Sequence, residues 1–170
     1  HLVPTDSLIG YAKTLKSAVK QPVTFCENYV PWLEKLHGLA DELDFISIHT
    51  YPVWEYKDIN EGLAYTIENY NAVAAAYPDK QIVITEAGWA TQSNGRGIEP
   101  SNVSESFQKQ YFQQLMDWAE QEQVLVYYFE AFDESWKGSD DPLEPEKHWG
   151  LYKTNRRPKQ AMYRPLRRAV

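Results

Sequence analysis

An α/β fold built on a parallel sheet is what this 170-residue sequence predicts, and three observations predict it. Short apolar runs alternate with amphipathic stretches along the chain, as when crossover helices join strands. The runs "IVI" (82–84) and "LVYYF" (125–129) are apolar at successive positions, as in strands covered on both faces. No Gly-rich phosphate loop follows any strand, which removes the usual mark of a dinucleotide-binding sheet. A doubly wound sheet and a (β/α)8 barrel both fit this pattern.

The elements follow in order. "DSLIGYAKTLKSAV" (6–19) predicts a helix capped by Asp6, with Leu8, Tyr11, Leu15 and Val19 on one stripe. "PVTFCE" (22–27) reads as a strand, and "YVPWLEKLHGLADEL" (29–43) as a helix with Pro31 near its first turn. "DFISIHTYP" (44–52) is a strand rich in β-branched and aromatic residues, closed by Pro52. A helix over 59–78 carries Leu63, Ile67, Tyr70, Val73 and Ala74 on one stripe. "QIVITEAGW" (81–89) is a strand, and 101–123 a helix with Ser and Glu suited to capping. A last strand over 124–136 overruns into a loop; 137–157 is irregular, and a final helix lies near 158–168. No repeat, linker or low-complexity tract interrupts the chain, so 1–170 reads as a single domain.

Composition narrows the function. Hydrophobic residues at 43% and charged residues at 24% suit a folded domain with a core. A net charge of −7 argues against nucleic acid, which demands clustered Lys and Arg. The basic cluster Lys153, Arg156, Arg157, Lys159, Arg164, Arg167 and Arg168 reads as a solvated terminal helix. Cys26 stands alone, so no disulfide framework exists within the chain. No apolar run approaches the roughly 18 residues of a membrane span, and the start lacks a signal-peptide pattern. His1 as first residue suggests a processed chain or a piece of something longer. Six Trp and twelve Tyr suit stacking on ring-shaped ligands.

The chemistry gathers at strand ends: Glu27, then His49 and Tyr51, then Glu86, then Glu130. Period-two alternation puts Ser47, His49 and Tyr51 on one face, as it does Ile82, Ile84 and Glu86, and Val126, Tyr128 and Glu130. In a barrel those ends converge on one mouth. A carboxylate at the end of a buried strand must be partnered, neutralised or used. The plain readings are a structural ion pair for Glu86, a core histidine for His49 and packing for Tyr51. His37, His49 and His148 lack ligand spacing, so no metal or cofactor is expected. In 129–152, Glu130, Asp133, Glu134 and Lys137 alternate with Phe132, Trp136 and Trp149. Carboxylates that grip hydroxyls, beside indoles that stack on pyranose faces, suit a carbohydrate cleft. Asp140 to Lys147 reads as a solvated acidic loop.

These residues carry a resemblance. "ITEAGWAT" resembles the strand-seven motif of glycoside hydrolase family 17, "YYFEAFDESWK" with "HWGLY" its strand-eight motif, and "SIHTYP" its strand-six segment. The match runs from about Val23 to Tyr152. The resemblance implies a retaining (β/α)8 TIM-barrel enzyme acting on β-glucans, chiefly β-1,3-linked. It makes Glu86 the nucleophile and places Tyr51 beside it. Trp89, Glu130, Glu134, Trp136 and Lys137 would line the sugar subsites, Glu27 and His49 are expected to bind substrate from their strand-end positions, and Trp149 would pack at the barrel rim. The family's acid/base is a Glu in an Asn-Glu pair ending strand four, and retention needs that carboxyl roughly 5–5.5 Å from the nucleophile. Asn60-Glu61, the single such pair, opens a helix. The chain therefore reads as strands five to eight, a half barrel without its acid.

Such a half would be completed by a missing N-terminal half barrel or by a second copy of the chain. The expected function is a β-glucan hydrolase or transglycosylase; the alternative is a non-catalytic β-glucan-binding module that kept the cleft. β-Glucans lie outside the cytoplasm, so the cell envelope, periplasm or secretion is the expected location.

Overall fold

The computed structural model describes residues 3–163. Four strands, Cys26–Asn28 (β1), Ile46–Thr50 (β2), Ile82–Ala87 (β3) and Val126–Tyr128 (β4), form one sheet in the order β1-β2-β3-β4. Every neighbouring pair is parallel. The helices Thr5–Ala18 (α1), Tyr29–Glu34 (α2), His37–Ala40 (α3), Gly62–Ala76 (α4) and Glu105–Glu122 (α5) alternate with the strands. A doubly wound sheet reverses its strand order at a switch point, whereas a barrel wall runs in sequence. This sheet runs in sequence and forms half of a (β/α)8 barrel. Its outer flanks are β1 and β4, where Leu125 and Tyr127 are exposed.

The core lies between sheet and helices. Trp32, Leu36, Leu39, Leu43, Ile46, Ile48, Ile84 and Leu115 are fully buried, and each such aliphatic side chain stabilises by about 1.5–3 kcal/mol. On α4 the most buried line is Gly62, Thr66, Asn69 and Val73, flanked by the apolar stripe of Leu63, Tyr70 and Ala74. Its polar members are satisfied: Thr66 Oγ1 meets the Tyr111 hydroxyl at 2.7 Å, and Asn69 Nδ2 donates to Thr50 Oγ1. Ser104 caps α5 by accepting from Phe107 N–H. Asn60-Glu61 stands at the entry to α4, tied by backbone N–H groups to Asp58 Oδ1, and not at a strand end.

Several elements differ from expectation. Pro4, not Asp6, precedes α1; Asp6 sits in the first turn, where its charge favours the helix dipole. The helix packs chiefly on α3 through Leu8, Ile9 and Ala12, so Tyr11 and Leu15 are left exposed. The helix expected over 29–43 is two, because the chain leaves helical geometry at Lys35. The first strand shrinks to three residues: ahead of it Val23 N–H donates to the Asp44 carboxylate, so a side chain takes that backbone donor. After β4 the backbone of 130–133 bonds to 149–152, with Leu151 N–H donating to Glu130 O and Tyr152 N–H to Ala131 O.

Strict alternation also fails near the strand ends. Ile48 pairs with Ile84, but His49 pairs with Glu86, so Thr85 is an extra residue in β3, a bulge. Ile84 is accordingly buried in the core while Glu86 is a third exposed. Tyr128 packs on Phe112 of α5 at 5.0 Å, toward the helices, whereas Glu130 does not.

Lys159 corrects the reading of a solvated basic terminus. It is 2% exposed, and its ammonium donates to Asp133 Oδ1 and Thr91 Oγ1, each at 2.7 Å, and to His148 O. Burial holds its pKa down against the opposing pull of Asp133. Arg156 lies 3.9 Å over the Phe132 ring. The segment Gln160–Met162 is a 3-10 turn; the rest of the expected helix, with Arg164, Arg167 and Arg168, lies outside the described residues. Among the described residues no helix is long and apolar enough to cross a membrane. Removing one partner of a buried ion pair strands the other charge. Asp133→Ala should therefore cost about 3 kcal/mol, read as a lower urea midpoint, with Lys137→Ala much less damaging.

Candidate active site

Glu86 leaves the end of β3 at the level of His49 on β2. Its Oε2 accepts the Tyr51 hydroxyl at 2.7 Å and lies 3.3 Å from His49 Nδ1. Its Oε1 makes no hydrogen bond among the described residues. Burial, then the bond to Glu86, pushes the Tyr51 phenol far above its ordinary pKa. Tyr51 is thus a neutral donor at any physiological pH. It aims one oxygen of the carboxylate and leaves the other available.

Tyr51 is itself held from behind. Its ring meets Trp149 edge-on at 5.1 Å and Phe129 at 5.8 Å. Trp149 is fully buried, as a packing residue at the rim should be. The chain must pass very close here: a Cβ on Gly88 would lie 2.0 Å from the Phe129 carbonyl oxygen and 3.3 Å from Trp149. From α5, buried Gln108 donates through Nε2 to the carbonyls of Trp89, Trp149 and Gly150 at 3.0, 3.1 and 3.2 Å. One side-chain amide therefore ties the segment after Glu86 to the segment that backs Tyr51.

The loop after β4 brings a second charged group. Lys137 Nζ bridges Glu130 Oε2 at 2.8 Å and Glu134 Oε2 at 2.7 Å, and lies 4.5 Å over the Phe129 ring. Trp136 is 74% exposed and lies under the same ammonium at 5.8 Å. Burial lowers the Lys137 pKa, but the bonds to Glu130 and Glu134 outweigh it and the net direction is up. Burial pushes the Glu130 pKa up against the pull of Lys137, and its Oε1 is buried without a partner among the described residues.

The predicted residues therefore divide. His49, Tyr51 and Glu86 meet at one oxygen, and Glu130, Glu134 and Lys137 form one cluster with Trp136 beside it. Glu27 is the middle residue of β1, with its Oε1 accepting from Asn28 N–H. Trp89 is not a sugar platform: it is fully buried, packed on Tyr111 at 5.3 Å, with its indole N–H donated to Asn102 O. Nor is 140–147 simply a solvated loop. Glu144 is 5% exposed and accepts from the Ser139 hydroxyl. Glu146, half-buried, has its pKa raised by burial and lies near enough to Lys137, Glu144 and Glu86 to feel their charges. No spacing rule singles out Glu146 or Gln108; both are visible once the loops are folded. Among the described residues no group of His, Cys, Asp and Glu is arranged to hold a metal ion.

A carboxyl with a raised folded pKa contributes stability when protonated, and loses it as pH rises through that pKa. Glu130→Gln, which stays neutral, escapes that loss. The melting temperature of the variant relative to the parent should rise as pH climbs from the ordinary carboxylate range toward neutrality; a flat difference over that climb would contradict the assignment.

The chain is similar to known proteins in sequence and in fold. A glucan 1,3-β-glucosidase of Arthroderma benhamiae is 27% identical over 147 residues, covering 75% of this chain and 46% of the relative. The Rhizomucor miehei β-1,3-glucanosyltransferase, of glycoside hydrolase family 17, superposes with a TM-score of 0.81 at 25% identity, covering 95% of this chain and 58% of that one. Its active-site mutant bound to laminaritriose gives 0.83. An endo-laminarinase from Formosa Hel1_33_131 gives 0.87 at 21% identity, covering 96% of this chain and 53% of that one. The chain thus spans about half the length of the relatives it matches. Residues 1–150 match the BtgE/BtgC glycoside hydrolase domain, and the chain belongs to that family.

Proposed function

We propose that this chain is the nucleophile-bearing, C-terminal half of a retaining β-1,3-glucan hydrolase or transglycosylase, one domain over 1–170 that corresponds to barrel strands five to eight. The observation that carries the proposal is the Tyr51–Glu86 bond at 2.7 Å, made between the ends of adjacent barrel strands. Glu86 Oε1 attacks the anomeric carbon while the aglycone oxygen leaves with a proton from a general acid. Water or an acceptor hydroxyl, deprotonated by the same group, then breaks the glycosyl ester. Tyr51 holds Oε2 throughout, and Glu130, Glu134, Lys137 and Trp136 bind the sugar through hydroxyls and a stacking face.

The general acid comes from outside this chain, in a preceding half barrel or a second copy. Asn60-Glu61, the pair that carries the motif, is at a helix entry far from that role. The relatives support the substrate: one is a glucan 1,3-β-glucosidase, and another holds laminaritriose. The same substrate supports a location in the cell envelope, the periplasm or outside the cell.

The test uses the protein with its barrel complete. Incubated with an activated 2-fluoro-β-glucoside, it should gain the mass of one glycosyl group on Glu86. Glu86→Gln should cut turnover of laminarin by roughly a thousandfold and keep laminari-oligosaccharide affinity. Binding without adduct or turnover in the parent would leave a β-glucan-binding module instead.

A further inference from the structure

We propose that Lys159 is a positioning residue for the reaction: its buried ammonium fixes the backbone on both sides of Trp149, and through that ring the Tyr51 hydroxyl on Glu86. This rests on the β-glucan reading above for what Glu86 does. Lys159 comes late in the chain and is brought back by a tight turn. Tyr152 pairs antiparallel with Pro158, Lys153 N–H donates to Arg157 O, and Lys159 N–H donates to Leu151 O at 2.9 Å. The ammonium has three N–H donors and meets three acceptors: Thr91 Oγ1 after β3, Asp133 Oδ1 after β4, and His148 O. It is 2% exposed, so an acceptor that lost it would find little water in exchange.

The acceptors converge on one residue. His148 O also takes the Thr91 N–H at 3.0 Å and the Thr91 hydroxyl at 3.1 Å, while Asp133 Oδ1 takes the Gly150 N–H at 3.0 Å. The ion pair therefore grips the peptide before Trp149 and the peptide after it. Gln108 shares the second peptide through Trp149 O, whereas the first depends on Lys159 and Thr91. The Trp149 indole N–H has no hydrogen-bond partner among the described residues, so those peptides and packing set the ring. The ring meets Tyr51 edge-on at 5.1 Å, and the Tyr51 hydroxyl donates to Glu86 Oε2 at 2.7 Å. Loosening Trp149 thus loosens the donor that holds the nucleophile. A hydrogen bond to the ionised form lowers a carboxyl's pKa, so losing that donor raises it. His49, 3.3 Å from the same oxygen, stays in place.

The test compares Lys159→Met, Tyr51→Phe and their combination in the protein with its barrel complete. Each single variant should lower kcat on laminarin by roughly tenfold with KM little changed. Each should also move the carbon-13 NMR titration of the Glu86 carboxyl to higher pH, and the acid limb of the kcat/KM profile with it. The combination should do no worse than Tyr51→Phe, because Lys159 acts through that hydroxyl. Lys159→Met/Asp133→Asn leaves no unpaired buried charge, so it should regain most of the lost melting temperature yet keep the lowered kcat. It carries the test if Lys159→Met does not fold. Val73→Ala, a core change in the last turn of α4, should lower the melting temperature and move neither kcat nor the titration. A kcat that returns with stability, or a Glu86 titration unmoved by Lys159→Met, overturns the positioning role and leaves the β-glucan reading standing. A parent that turns over no laminarin overturns that reading, and the Glu86 titration still decides what Lys159 does.

Discussion

At residue 88 there is no room for a side chain. The Phe129 carbonyl oxygen stands 2.0 Å from where a Cβ would be, so the ends of β3 and β4 can touch only through glycine. Much follows from that approach. Phe129 and Trp149 are drawn against the Tyr51 ring, and the Tyr51 hydroxyl is set on Glu86. Gln108 locks the arrangement from α5, sharing its two N–H bonds among three carbonyls. A buried amide with several acceptors is a stiff joint, because any movement of one carbonyl forfeits bonds to the others.

The electrostatics of the site favour a neutral, hydroxylated ligand. Glu86, Glu130, Glu134 and Glu146 outnumber Lys137, and burial raises the cost of every uncompensated charge among them. A sugar brings O–H donors to such a surface without adding charge. Tyr51 obeys the same logic from the protein side, since a phenol kept protonated by its surroundings orients a carboxylate without neutralising it.

The alternation of strands and helices and the convergence of His49, Tyr51 and Glu86 were legible because periodicity, strand-end position and residue type carry them, whereas the barrel order came with the family resemblance, since periodicity alone fits a doubly wound sheet as well. Other features resist sequence reading for physical reasons. Trp89 looks like a sugar platform, yet whether an indole offers its face depends on Gly62 and Tyr111, which meet it only after α4 and α5 dock. Lys159 looks like one more solvated charge, and its burial depends on Asp133 far back in the chain. Gln108 sits amid the polar residues of α5, and nothing local marks it as the one that turns inward.

The surplus residue at Thr85 gives β3 slack in one place. Deleting residue 85 leaves Ile48 level with Ile84 and His49 level with Glu86, so the ladder closes up around an unchanged pair. Losing any residue from 82 to 84 instead drags the core side chains out of step with β2. Length can thus drift at a single notch in the strand, immediately before its reactive end, while the packing upstream tolerates none.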